Sequence, residues 1–372
     1  MTSILILGIV QAVFLSLLIL NKKDKGKPDY VLATLLVYSA AHLVFFLANF
    51  NDHFNPGTNL LIVGSGFPLL SGPMLYWYVL SLIRRSKPDF VSYLTHSTPY
   101  IIYCAVFLYY GNLPGEPIVK VYDGFMHYIC CDLPWPIRYY SSFFALSGGG
   151  YPTACIVLLA IHNRRIKNEF SYEEKINLLW LRNLILFTIF TFLITFFTIY
   201  FTLDSYINMQ PKYAFYVTSC MITIYVFFMG YFGLRQANIF TDKTQFEPVK
   251  RYQRSGLDNK ESSKIIDRLS ALMKNEKPFL NPKLNLNDLA IRLEISKNHL
   301  SQAINENLEK NFFDYVNEYR VEEVKIKLQN PANKHLTLLG IALDSGFSSK
   351  SSFNHIFKKV IGKTPSEYKK SM

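Results

Sequence analysis

Residues 284–305 read LNLNDLAIRLEISKNHLSQAIN. Leu286, Leu289, Ala290 and Leu293 recur at helical spacing, a short break follows at Glu294 and Ile295, and Ser296 is a good N-cap for a second helix that turns Leu300, Ala303 and Ile304 inward. That is the layout of a helix-turn-helix. The outward face of its second helix is Lys297, Asn298, Ser301, Gln302 and Asn305, side chains able to hydrogen-bond base edges or phosphates.

The arrangement recurs beyond a helix predicted from about Phe312 to Leu328. Leu338, Ile341 and Ala342 form a first short helix and Gly346 supplies the turn. Ser348 or Ser349 caps a second helix with Phe353, Ile356 and Phe357 inward, and its outward face offers Lys350, Ser351, Asn354, Lys358 and Lys359. Two basic readers joined by one helix form a specific architecture.

These residues resemble the DNA-binding domain of the AraC/XylS family of transcription regulators. The second half carries the family pattern most fully: Ile341-Ala342, Gly346-Phe347-Ser348, Ser352-Phe353, Phe357-Lys358-Lys359, Gly362, Thr364-Pro365 and Tyr368. In the first half Leu289-Ala290, Ile295-Ser296, Leu300-Ser301, Phe312 and the helix through Tyr319-Arg320-Val321 also fit, while Glu294 stands where members commonly have a glycine. The resemblance covers residues 280–370. It implies that two recognition helices enter successive major grooves of double-stranded DNA. The first would read bases through Lys297, Asn298, Ser301, Gln302 and Asn305, and the second through Lys350, Ser351 and Asn354. Lys358 and Lys359 would hold phosphates, and RNA polymerase is an implied partner.

Gly362-Lys363-Thr364-Pro365-Ser366 lacks the spacing of a Walker A loop and reads as a helix stop followed by proline at the start of the last helix. Working back toward the N-terminus, the polar stretch 235–282 holds a helix predicted from Asp258 to Asn275. Its apolar stripe of Ile265, Ile266, Leu269, Leu272 and Met273 either packs on the C-terminal domain or pairs with a second copy in a homodimer.

The first two thirds are a different kind of chain. Residues 1–234 carry 15 Lys+Arg and 11 Asp+Glu, against 24 and 16 in residues 235–372, so the net charge of +12 and 50% hydrophobic content describe neither part. Seven stretches of at least 21 residues in 1–234 hold no Asp, Glu, Lys or Arg. Each is long enough to cross a bilayer core, which predicts seven spans: Thr2–Leu20, Tyr30–Phe50, Leu60–Ile83, Tyr93–Tyr110, Tyr139–His162, Asn183–Leu203 and Tyr213–Leu234.

Lys22, Lys23, Lys25 and Lys27 follow the first span, the reverse of a secretory signal, and place the N-terminus outside. Alternate loops then hold 12 basic residues inside and 3 outside, so the tail faces the cytoplasm. The expected location is a bacterial inner membrane, with the lipid bilayer as a partner.

Within the spans the ionisable residues are His42, His96 and His162, fewer than a transporter normally needs, and His42 is the candidate ligand contact beside a packing role. Pro68, Gly72 and Pro73 are expected to break the third span, and Gly148-Gly149-Gly150 with Pro152 the fifth. The longest outer loop, 111–137, carries Glu116, Asp123, Asp132, Trp135 and Cys130-Cys131, a natural meeting point for an external signal. Five cysteines fit no disulfide framework or metal spacing. Asn168–Arg182 reads as an interfacial helix near the emerging tail. No hydrolase, zinc-protease, kinase or nucleotide-loop motif is present, which points away from an enzyme and from a cofactor.

The sequence thus predicts an all-α protein in three parts: a seven-span sensor (1–234), a linker with an amphipathic helix (235–282) and a double helix-turn-helix domain (283–372). The expected function is a membrane-embedded transcription regulator that answers a small-molecule or envelope signal. The alternatives are a transporter-like protein with a DNA-binding tail and a constitutive tether of chromosome to membrane.

Overall fold

The computed structural model describes residues 1–23, 25–50, 57–84, 89–112, 119–122, 125–128, 140–173, 178–203, 212–236 and 258–371. The chain divides into two compact units, residues 1–160 with 179–247, and residues 161–178 with 248–372.

The first unit is built from α1 (Thr2–Leu20), α2 (Lys27–Phe50), α3 (Gly57–Ser65), α4 (Pro68–Arg84), α5 (Phe90–Gly111), most of α6 (Tyr140–Glu169), α7 (Leu179–Leu203) and α8 (Lys212–Gln236). α1 packs on α2 and α8, α7 on α8, and α4 on both α2 and α5. An ion pair between Lys22 and Asp29 at 2.9 Å closes the turn between α1 and α2. α1 and α7 carry large apolar side chains outward as well as inward: Ile6, Leu7, Val10, Phe14 and Leu17 on one, Leu186, Phe190, Leu193 and Phe197 on the other. A helix apolar on every face suits a hydrocarbon solvent better than water.

Among the described residues, four helices are long and apolar enough to cross a membrane: Thr2–Leu20, Lys27–Ala48, Leu179–Phe197 and Tyr216–Leu234. The other three expected spans take a different form. Leu60–Ile83 is not one span but two helices, α3 and α4, parted at Gly66–Phe67. The ring of Phe67 meets Phe45, His42 and Tyr100 there, and these contacts hold the chain in a turn. Tyr93–Tyr110 and residues 140–162 lie within continuous helices, but Ser92, Thr95, Ser97 and Thr98 in α5, and three glycines and a basic end in α6, dilute their apolar character. The fifth span is unbroken across Gly148-Gly149-Gly150 and Pro152, contrary to expectation. At Gly148 the missing side chain makes room for Phe192, whose ring carbon would lie 2.1 Å from an added Cβ, so close packing accounts for that glycine.

The described elements are helical as expected, apart from one short hairpin after α5 in which Val119–Tyr122 (β1) and Phe125–Tyr128 (β2) pair antiparallel, with Val119 opposite Tyr128. Glu116, Asp123, Cys130, Cys131, Asp132 and Trp135 lie outside the described residues.

The second unit contains α9 (Asn259–Asn275), α10 (Leu286–Arg292), α11 (Lys297–Leu308), α12 (Phe312–Gln329), α13 (Leu338–Asp344), α14 (Lys350–Ile361) and α15 (Pro365–Lys370). Most of these helices begin at a side-chain cap. Asn285, Ser296, Asn311, Thr337, Ser349 and Thr364 each accept a backbone N–H from the first turn, and Asn285 with Asp288 and Thr364 with Glu367 close full capping boxes. Each cap contributes about 1 kcal/mol.

Two cores result. Ile265, Leu269 and Met273 of α9 join Leu289, Leu300, Ala303, Phe312 and Val316 in the first, so the stripe on α9 is covered within this chain. Phe313, Val321, Val324, Ile341, Phe353 and Phe357 make the second. Burial of each large side chain stabilises the fold by about 2 kcal/mol. α12 contributes to both cores.

Candidate nucleic-acid interface

The two helix-turn-helix motifs place α11 and α14 as second helices after closely similar turns. In the first, Ile295 N–H donates to Ala290 O at 3.0 Å and Glu294 N–H to Ile291 O at 3.1 Å. In the second, Phe347 N–H donates to Ala342 O at 3.1 Å and Gly346 N–H to Leu343 O at 3.0 Å. Both turns pivot on a residue with positive φ, Glu294 at 55° and Gly346 at 91°. Ser349, not Ser348, caps α14, accepting from Ser352 N–H at 3.2 Å.

On α14 all five expected residues, Lys350, Ser351, Asn354, Lys358 and Lys359, are exposed. The Lys359 ammonium already meets Asp314 at 2.6 Å, and Ser351 shares a hydrogen bond of 3.0 Å with Ser349. Lys350, Asn354 and Lys358 therefore form the open part of this face.

α11 is more engaged. Asn298 is exposed and Gln302 half-buried, and the Gln302 amide donates to Glu306 at 3.0 Å. Asn305 turns back on its own helix and donates to Ser301 O at 2.8 Å. Ser301 corrects the expectation of an outward residue. It is 8% exposed, because it lies on the side of α11 that also carries the buried Leu300 and Ile304. Lys297, one turn before Ser301, pairs with Glu169 at 3.4 Å.

Glu169 belongs to a segment the sequence reading placed in an interfacial helix. The structure ends α6 at Glu169 instead, and Phe170 forms a β-bridge with Asn285. The Ser171 N–H donates to Leu284 O at 3.2 Å and its hydroxyl to the same carbonyl at 2.6 Å. Extended pairing with residues 284–285 thus takes the place of helix at Phe170 and Ser171, and residues 179–182 begin α7.

Arg320 closes this corner from α12. Its guanidinium, 1% exposed, donates to Ser171 O and Phe279 O at 2.8 Å each, to Asn281 O at 2.8 Å, to the Ser171 hydroxyl at 3.0 Å and to Asn317 Oδ1 at 3.1 Å. Asn317 in turn donates to Ser171 O at 3.1 Å. Burial pulls the Arg320 pKa down to about 9, which leaves it protonated at neutral pH and dependent on those acceptors. Asn317, Ser171 and Glu169 are absent from the expected site residues, and Arg320 enters there only as part of the family pattern. The available signal was Arg320 itself, a charge at i+4 from Val316 and i−4 from Val324 on the buried face.

In the first unit, His42 is buried, stacked on Phe46 with ring centroids 4.9 Å apart. It lines a cavity of about 90 Å³ with Tyr38, Ser39, Ser71, Phe144, Thr188, Thr195, Thr218 and Tyr225, and among the described residues no Asp, Glu, Lys or Arg lines it. Ser39, Ser71, Thr188 and Thr195 donate their hydroxyl protons to carbonyls of their own helices. The Thr195 hydroxyl also meets Thr218 at 3.1 Å, so the acceptor capacity left at the cavity lies at Ser39 and Ser71. Among the described residues no group of three or more His, Cys, Asp or Glu could hold a metal ion.

Fold and side chains define the C-terminal part as a tandem helix-turn-helix domain. A helix-turn-helix domain family matches residues 289–371, from within α10 to the end of α15. A helix-turn-helix-type transcriptional regulator of Staphylococcus aureus strain COL is 35% identical over 86 residues, 23% of this chain and 11% of that protein. The Msm operon regulatory protein of Streptococcus mutans serotype c is 28% identical over 89 residues, 24% of this chain and 31% of that protein. The chain therefore matches less than a third of the length of these relatives, and the likeness is confined to the helix-turn-helix part. No solved structure matches the chain.

Proposed function

We propose that this protein is a membrane-embedded transcription regulator that binds specific double-stranded DNA through α11 and α14 and senses a signal through its apolar helices. The observation that carries the reading is the outward face of α14. Lys350, Asn354 and Lys358 stand exposed on a helix fixed by its cap and by the closed core beneath it. A rigid helix with an amide between cations suits a major groove, where Asn pairs with adenine and Lys with guanine or phosphate.

Two features of the first unit support the sensing half. Its helices expose apolar side chains as a bilayer would require, and its cavity offers acceptor oxygens around an apolar space. The ligand class that fits is small, uncharged and largely apolar, with one or two hydrogen-bond donors. The loop charges support a tail in the cytoplasm, with the apolar helices in an inner membrane. RNA polymerase is the partner such a regulator addresses.

The test is genome-wide mapping of DNA bound by the full-length protein in its native cell, beside a variant carrying Asn298→Ala and Asn354→Ala. Discrete promoter peaks that vanish in the variant are expected. Diffuse binding, or peaks indifferent to both changes, would move the function to a transporter or a chromosome tether.

A further inference from the structure

Lys297 is the first residue of α11, where the helix dipole already presents positive charge, so its ammonium gains from an anionic partner. A DNA phosphate is such a partner. The chain supplies another, since Glu169 Oε2 lies 3.4 Å from Lys297 Nζ with both side chains largely shielded, at 11% and 27% exposure.

The residues that follow hold Glu169 in place. Phe170 and Ser171 pair with Leu284 and Asn285, the entry to α10, and Ser171 is gripped by Asn317 and Arg320 of α12. The Ser171 hydroxyl both gives a proton to Leu284 O and takes one from Arg320. The carboxylate of Glu169 also accepts from Arg165 Nε at 2.9 Å. Removing Lys297 therefore does not leave Glu169 without a cation, and the exchange of partners costs little.

We propose that Glu169–Ser171 is an internal strap whose docking surface is formed by Leu284, Asn285, Asn317 and Arg320, and that Glu169 competes with DNA for Lys297. The proposal rests on the DNA-binding reading above. The strap lies in the connection between α6 and α7, so a displacement of that connection releases Lys297 to a phosphate. At the second reader Asp314 meets Lys359 at 2.6 Å, but Lys350 and Lys358 stand exposed beside it. DNA is thus held first by α14, and the strap sets whether α11 joins it.

A double-mutant cycle on the full-length protein in lipid nanodiscs tests this, with a promoter fragment from the mapping experiment as probe. Wild type, Glu169→Gln, Lys297→Gln and the double variant are compared by fluorescence anisotropy, and their thermal transitions are checked for equal folding. Glu169→Gln should tighten binding about fivefold when Lys297 is present and less than about twofold when it is Gln. Equal tightening in both backgrounds would mean that a carboxylate simply repels DNA, and would overturn the strap. So would unchanged affinity. If none of the four proteins prefers the promoter to random DNA, the regulatory reading itself falls and the strap with it; indifference to Glu169 beside specific binding overturns the strap alone.

Discussion

Glu294 and Gly346 occupy the same corner of the two helix-turn-helix motifs, and the same backbone bonds close both turns. At the second turn an added Cβ would lie 2.2 Å from Phe279 O, so glycine is required by space as well as by φ. At the first turn a glutamate accepts the left-handed conformation, at a cost, and remains exposed. The helices that follow differ in parallel. α14 presents three exposed lysines, of which Lys359 is paired to Asp314, whereas α11 presents amides and a single lysine, paired to Glu169. A motif repeated in one chain need not do the same task twice: the second copy has the features of an anchor, the first those of an adjustable contact.

The largest effect that would test this contrast is at the corner itself. Gly346→Ala should destabilise the C-terminal domain by about 3 kcal/mol or more, read as a lowered denaturant midpoint, since strain and collision with a backbone carbonyl add. A variant that melts like wild type would remove the distinction between the corners. Next comes Lys358→Ala, which should weaken binding about fivefold on every sequence and lower the salt slope by about 1, as loss of a phosphate contact does. Lys297→Gln should cost less than Lys358→Ala, because Lys297 must first leave Glu169; an equal or larger loss would make α11 the anchor. The smallest effect is a gain. Glu294→Gly should raise stability by about 0.5–1 kcal/mol with DNA affinity unchanged, and a lower melting temperature would show that Glu294 holds its turn by contacts rather than at a cost.

Much of the helix-turn-helix architecture was legible because its signals are local. Ser296, Ser349 and Thr364 cap the residue three positions on, and Gly362 and Pro365 stop and start helices within one turn. Ser301 was misread because a helical wheel assigns faces without saying how wide the buried face is. The Glu169–Ser171 contacts were invisible because their partners lie 113 to 149 residues away in sequence. Local propensity favoured a helix through Phe170, and pairing with Leu284 and Asn285 outcompeted it. In the apolar part, hydropathy found the long helices, and the expected break in the third span falls at Gly66–Phe67, directly before Pro68, while the helix runs on through Gly72 and Pro73 because the turn depends on which aromatic rings meet there.

α12 gives Phe312, Tyr315 and Val316 to one core and Phe313, Val321 and Val324 to the other. A rod of 18 residues, about 27 Å long, is thus shared along its length between two blocks. Such a rod acts as a ruler, fixing both the distance and the rotational phase between α11 and α14. DNA turns by about 35° and advances about 3.4 Å with each base pair. A target lengthened by one pair between the two contact sites would turn one of them away from its helix, and the ruler has no joint to follow it. Spacing should therefore be the least negotiable property of the target, less tolerant of change than any single base within it.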